Sequence, residues 1–484
     1  MNAASFETLA AEVSVALKRR DRSGFVRSVK KLMDARAPLT RGWKSLTQPL
    51  LDYGEVDLAL RAIDLYVESV PRSPAALFDR ALIYAQASRL KHADKFLDEI
   101  DGLAANGANI AYLRGTIALN SGRVGDARDY LIAAHKSMPS SGQVLHSLSM
   151  LGSLATDDEL AALIMEADQR QFASNLERAI YLFARGKALD DIDDVDGAFA
   201  AFREGAELIS RQRAYDATID ANNARDAISG WTRKTLSETN SHDDVATDGA
   251  IILTGLPRSG STLLEHVLCS HSAVAGGDEL AKFSHVIGEI GGTRYSDVAR
   301  WLQASEPAIA SKLYMHLLHQ RVMGPGKVVD KTLGASRYLG TLAAIMPDAP
   351  ILWMRRDALD VAWSCYSTYF AQGLSWSFDQ RSIASHMALE SQLLDYWSKA
   401  LGDRLMICDY EKIVTIKEEY VPAVLSHCRL PMEVETLSPD KVSRTVQTAS
   451  AAQVRQPIHT RSLGRGKRYR RHLDTFARAY GYQD

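Results

Sequence analysis

The stretch that most constrains this chain is Ala250–Leu280, AIILTGLPRSGSTLLEHVLCSHSAVAGGDEL. Ile251, Ile252 and Leu253 read as a buried strand, and Leu263, Leu264, Val267 and Leu268 recur at helical spacing. Between them lies a glycine-bounded turn, Gly255-Leu-Pro-Arg-Ser-Gly260. A strand that passes through such a turn into a helix is a cradle for an anion. The glycines let the backbone wrap closely, and the first N–H groups of the helix point at the bound charge. One position departs from the nucleotide-triphosphatase pattern. Ser261, followed by Thr262, stands where that pattern has Lys, and the cation is Arg258, inside the loop. A loop Lys neutralises the β- and γ-phosphates of a triphosphate. Its absence points to a 5′-phosphate capped by a less highly charged group.

The rest of the chain divides around this turn. Ala59, Ala93 and Ala127 lie 34 residues apart, each opening a helix-like run. Pro71 and Pro139 occupy equivalent positions two periods apart, and Ala81 and Gly115 fill the small position where paired helices must approach. Gly186, Ala198 and Phe202 restore the pattern further on. The period and the small contact residues resemble the tetratricopeptide repeat (TPR). About five helical pairs are expected up to residue 230, an α-solenoid whose concave face holds a peptide or protein. Docking on the second half, or homodimerisation, is the alternative use. Residues 233–249 are polar and without periodicity and read as a linker. The expected organisation is a repeat domain over 1–232, a linker over 233–249 and an α/β domain over 250–484.

In the α/β half, strands are expected at 327–330, 351–354 and 404–408, with helices between them. This alternation predicts a central parallel sheet with ligands at the strand carboxyl ends. Arg355-Arg356-Asp357 and Asp409-Tyr410-Glu411 follow strands directly. Near the C-terminus, TASAAQVRQPIHTRSLGRGKRYRRHL crowds Arg455, Arg461, Arg465, Lys467, Arg468, Arg470 and Arg471 among glycines.

The PRSGST loop, the MPDAPILWMRRDALDVAWSCYSTYF run and this basic segment together resemble the sulfotransferases that use 3′-phosphoadenosine 5′-phosphosulfate (PAPS). The arrangement is most similar to TPR-containing members, and the motif spacing to the tyrosylprotein sulfotransferases. The resemblance implies an α/β P-loop-like domain and binding of PAPS, with adenosine 3′,5′-bisphosphate (PAP) as product and no metal. It assigns the donor contacts to Pro257, Arg258, Ser259, Gly260, Ser261 and Thr262 at the 5′-phosphosulfate and to Arg356 and Ser364 at the 3′-phosphate. Tyr410, Arg465, Lys467 and Arg468 complete the nucleotide site. Glu279 is implied as the base for the acceptor hydroxyl, with Asp278, His266 and His271 as alternatives. Arg258, Lys331 and Ser462 are implied to stabilise the transferred group and the leaving oxygen. An ordinary salt bridge to Asp330 or Asp348 is the other reading of Lys331. The chain departs from the family at Gly466, where a large aromatic is usual. A protein tyrosine is the acceptor implied by the Glu279 spacing; a glycan, lipid or small-molecule hydroxyl is the alternative, and Trp376 and Phe378 either wall its pocket or pack a loop.

Composition narrows the field. The 484 residues carry a formal net charge of −2 and are 46% hydrophobic, which fits a multidomain globular chain without a dedicated nucleic-acid surface. Cys269, Cys365, Cys408 and Cys428 have no metal or disulfide spacing and read as thiols of a reducing compartment. With no signal-peptide pattern in residues 1–20 and no long apolar run, a cytoplasmic protein without a membrane partner is expected. Two other functions share these features: a nucleotide kinase or NTPase on the same loop, and a repeat scaffold whose second half is inactive.

Overall fold

A computed structural model describes residues 3–101, 107–156, 158–167, 172–239, 248–276, 282–322, 326–441 and 456–483. The chain divides into two compact units, Met1–Ile117 with His319–Arg321, and Ala118–Leu318 with Val322–Asp484.

The first unit is helical, with helices at Ala3–Arg19, Arg22–Asp34, Arg41–Asp52, Val56–Ser69, Pro74–Gln86 and Leu90–Asp101. Phe25, Leu32, Trp43, Leu50 and Ile63 form one core, and Leu77, Ala81, Ala93 and Leu97 another. Ala59, Ala81 and Ala93 are fully buried, as the 34-residue period requires of residues at helix crossings. Ser73 caps the helix that Pro74 opens, accepting a bond from Ala76 N, so Pro71 falls between helices.

Helices continue in the second unit at Val124–Ser137, Gly142–Ser149, Asp158–Glu166, Asn175–Asp191, Val195–Ser210 and Ala217–Ile228. The described helices up to residue 228 number more than five pairs provide, and the regular succession slips at Gly142–Ser149. That helix packs directly on Asn175–Asp191, because Gly142 brings its backbone against Glu177, where a Cβ would lie 2.0 Å from the carbonyl oxygen. Gly186 does the same beneath the Phe202 ring, at 2.7 Å.

Among the described residues five parallel strands follow: β1 (Ala250–Gly255), β2 (Val274–Gly276), β3 (Lys327–Lys331), β4 (Ile351–Arg355) and β5 (Leu405–Asp409). Their order is β2-β3-β1-β4-β5, with Leu253 opposite both Lys331 and Leu352. The sheet is buried on both faces, as parallel sheets require. Ala250, Ile252, Ile351 and Trp353 point into one core, and Ile251, Leu253, Leu352 and Met354 into the other. The short edge strand β2 has no counterpart among the expected strands. A third core joins Ala179, Phe183, Phe199 and Phe202 of the helical region to Leu359, Trp363 and Phe476. No helix among the described residues is long and apolar enough to cross a membrane.

Residues 233–239, expected to be linker, are a helix. Thr232 and Thr235 exchange bonds between backbone N–H and hydroxyl, at 2.8 and 3.1 Å, which is capping-box geometry built from two hydroxyls. Leu236 then packs into the core beneath the sheet. Residues 240–247 lie outside the described residues.

Trp231 is fully buried and donates its ring N–H to Thr293 O at 2.9 Å. Gly340 lies against that ring, so a Cβ there would sit 2.4 Å from it. Gly340→Ala gains about 1 kcal/mol of helix propensity, but overpacking against an anchored indole costs about 1–3 kcal/mol. Urea unfolding is expected to show a net loss of stability; a midpoint equal to or above wild type contradicts this packing.

Candidate active site

The turn after β1 takes three left-handed conformations, at Gly255 (φ 135°), Arg258 (φ 67°) and Gly260 (φ 101°). Only glycine adopts these readily, so Arg258 is held there by its contacts. Its Nε donates to Ser364 Oγ at 2.9 Å, and its carbonyl accepts from Arg356 Nη1 at 3.2 Å. Gly260 lies against the Tyr410 ring, 2.4 Å from where a Cβ would be. The helix Ser261–Cys269 starts directly after it. Ser259 Oγ donates to Leu256 O at 2.6 Å and braces the turn from within.

Arg356, one residue beyond β4, links three segments. Besides the loop carbonyl, its Nη2 donates to Asp360 Oδ2 at 3.1 Å and to Ser462 O. Its guanidinium stacks over Tyr410 at 4.6 Å. Asp360 is buried and also accepts from Gly464 N at 2.9 Å and Gly466 N at 2.7 Å. Gly466 comes so close to the helix Ala358–Tyr366 that a Cβ would lie 2.4 Å from Leu359 O. No aromatic fits at that position without moving the backbone, which explains the departure from the family pattern there.

Arg258, Arg356, Ser364, Ser462 and Arg465 line one cavity of about 310 Å³. Its other wall comes from the helical region: His146, Phe183, Lys187, Asp190 and Asp191. An adjoining cavity of about 70 Å³ shares Arg258, Arg356 and Ser462, and is lined by Gly260, Ser261, Thr262, Tyr410 and Pro457 to His459. His146 is half-buried, and its ring packs edge-on to Tyr369 at 5.7 Å. Burial and the nearby Lys187 ammonium push its pKa down to about 4, so the imidazole is neutral at physiological pH.

Other residues picked out from the sequence have different surroundings. Lys331 is completely buried and pairs with Glu265. Its Nζ lies 2.9 Å from Glu265 Oε2 and 3.4 Å from Thr262 Oγ1. Asp330 instead accepts from Tyr314 and Thr332, and burial raises its pKa. Arg355 pairs with Asp409 at 2.7 Å on the surface, and Asp357 caps its helix by accepting from Asp360 N at 2.9 Å. Pro257 turns its carbonyl to the buried Cys365 thiol, whose pKa burial pushes up to about 12. Arg468 pairs with Asp193 and Asp190, and neither it nor Lys467 lines the cavity. Trp376 and Phe378 are buried in the third core, where Trp376 stacks on His386 at 4.3 Å, so the segment is a packed loop. His271 bonds to Pro431 O, and both His266 and His271 are buried away from the cavity walls. Glu279, Asp278 and Arg455 lie outside the described residues.

Asp360, Glu265, Asp190 and His146 were not picked out from the sequence. Asp360 had a legible signal, four residues after Arg356 on a helix. The two residues of the helical region had none.

Breaking a buried ion pair strands the surviving charge, at a cost of about 3–5 kcal/mol. Glu265→Gln is expected to lower stability by that order in urea unfolding. Glu265→Gln combined with Lys331→Met is expected to recover most of the loss. A double variant no more stable than the single contradicts the pairing.

Residues 250–434 match the family model described as the sulfotransferase family. An uncharacterized protein of Aquifex aeolicus (strain VF5) is 25% identical over 431 residues, 80% of this chain, and the chain spans 56% of that relative's length. Among solved structures, the sulfotransferase domain from the Synechococcus PCC 7002 olefin synthase is 17% identical and covers 48% of this chain and 96% of its own, with a TM-score of 0.32. YrrB, a TPR protein with an unusual peptide-binding site, is 14% identical and covers 37% of this chain and 91% of its own, with a TM-score of 0.28. The strand, lysine-free glycine turn and Arg356 strand end all fall inside the matched span, and residues 250–434 are a sulfotransferase-family domain.

Proposed function

We propose that the chain transfers a sulfuryl group from PAPS to an acceptor hydroxyl. The observation that carries this reading is the convergence of the lysine-free turn with Arg356, Ser364, Ser462 and Arg465 around one cavity. The donor set is cationic and planar, which suits phosphate oxygens. Gly260 packs against the Tyr410 ring, where a Cβ would clash, so the turn passes into its helix with no side chain at this position.

In this reading, backbone N–H groups from Ser259 to Leu263 cradle the 5′-phosphate, and Arg258 neutralises charge on the bridging oxygen and the SO3 group. Ser364 holds the Arg258 side chain in place through its hydroxyl. Arg356 and Arg465 serve the 3′-phosphate side, with Lys467 and Arg468 adding positive charge further out. Lys331 acts on the leaving oxygen from beneath the helix start, beside Thr262. Ser462 contributes a donor from the C-terminal segment. Glu279 takes the proton of the acceptor hydroxyl as the new oxygen–sulfur bond forms and the bond from sulfur to the 5′-phosphate oxygen breaks, releasing PAP. A protein tyrosine is the proposed acceptor, presented with help from the helical repeats, in a cytoplasmic enzyme.

The test is transfer from 35S-labelled PAPS to tyrosine-containing peptides, with PAP binding measured by calorimetry. Arg258→Ala and Glu279→Ala are each expected to lower turnover by about 10²-fold or more, and Glu279→Ala to retain PAP binding. Loss of PAP binding on Glu279→Ala contradicts its role as base. Arg356→Ala is expected to weaken PAP more than adenosine 5′-phosphosulfate; equal weakening removes it from the 3′-site.

A further inference from the structure

Arg465 reaches the cavity wall from the C-terminal segment with most of its donors free. Nη2 donates to Asp190 Oδ2, and among the described residues Nε and Nη1 make no hydrogen bond. The side chain is 43% exposed. Arg356 is the opposite case, with both amino groups engaged on Arg258 O, Asp360 and Ser462 O. Arg465 is therefore a cation of this wall with a free edge to offer.

The orientation of that edge is set from the helical region. Asp190 lies near the end of the helix Asn175–Asp191, and its side chain is 9% exposed. Its Oδ1 accepts from Tyr469 OH at 2.6 Å and lies 3.5 Å from Arg468 Nη1. Tyr469 is fully buried and stacks on Trp363 at 3.4 Å, so its hydroxyl is a fixed point. A carboxylate anchored in this way grips one end of a planar guanidinium and turns the remaining N–H groups away from itself. Asp360 holds the same turn from the other side through Gly464 N and Gly466 N.

We propose that Asp190 is a positioning residue, supplied by the helical region, that aims Arg465 at the 3′-phosphate of the bound nucleotide. The inference rests on the nucleotide reading above and makes the helix Asn175–Asp191 part of the donor site. Asp190 itself touches no nucleotide atom and acts through Arg465.

The experiment is calorimetric titration of the full-length chain with PAP and with AMP, which lacks the 3′-phosphate. Wild type is expected to prefer PAP. Asp190→Asn is expected to lower PAP affinity by about tenfold, about 1.4 kcal/mol, and to leave AMP within about twofold. Arg465→Gln is expected to do the same, and the double variant no more than Arg465→Gln alone. A merely structural role for Asp190 weakens both ligands together, which overturns the proposal, as does unchanged or tighter PAP binding. If Asp190→Asn does not fold, the exposed Arg465→Gln decides: an unchanged ratio of PAP to AMP affinity overturns the proposal, and a selective loss of PAP supports it. A wild-type chain that does not bind PAP overturns the nucleotide reading and this inference together. Binding of PAP with a ratio indifferent to Asp190→Asn overturns the inference alone.

Discussion

The site depends on the Arg356–Asp360 pair. Arg356 leaves β4 and joins the glycine turn, the helix it precedes and the C-terminal segment, three stretches separated by about a hundred residues each. Buried charges are costly unless paired and hydrogen-bonded. Asp360 meets that condition by accepting from two backbone N–H groups as well as from Arg356. The pair therefore fixes where Ser462 and Arg465 stand relative to Arg258.

A second constraint comes from packing. The parallel sheet must cover both faces, and helices over 283–345 and 410–427 do most of that work. The helix Ala358–Tyr366 has a further apolar face, which Phe199 and Phe202 of the helical region cover. The helices from Gly142 to Ser210 are thus integral to the second unit. They bring His146, Lys187 and Asp190 to the same cavity as Arg258. A ligand entering that cavity would meet side chains from both the repeat-like helices and the α/β fold.

Much of this was legible in the sequence, for definite reasons. The 34-residue spacing of alanines marks helix crossings because only small residues fit there, and Ala59, Ala93, Ala127 and Ala198 are all fully buried. β1 and its glycine turn were legible because a buried strand and a left-handed turn each demand particular residue types. The edge strand β2 was not, since three residues carry no periodicity. The partner of Lys331 was missed because Glu265 faces it across the sheet and helix, 66 residues away in sequence. The basic C-terminal segment reads as one phosphate-binding patch on charge alone. In the structure its arginines divide, with Arg468 and Arg471 paired to Asp193 and Asp196 and, among the described residues of the segment, Arg465 the arginine that also lines the cavity. Charge density shows in a sequence; the carboxylates of Asp190, Asp193 and Asp196 that pair with Arg465, Arg468 and Arg471 show only once the chain is folded.

We propose that the lysine-free anion turn and the cations gathered beside it select a doubly phosphorylated adenosine over a triphosphate. Competition calorimetry on the full-length chain, titrating PAP in the absence and presence of ATP with Mg2+, tests it most directly. Saturable one-to-one binding of PAP that millimolar Mg·ATP barely displaces is expected. Tight Mg·ATP binding that excludes PAP would contradict it.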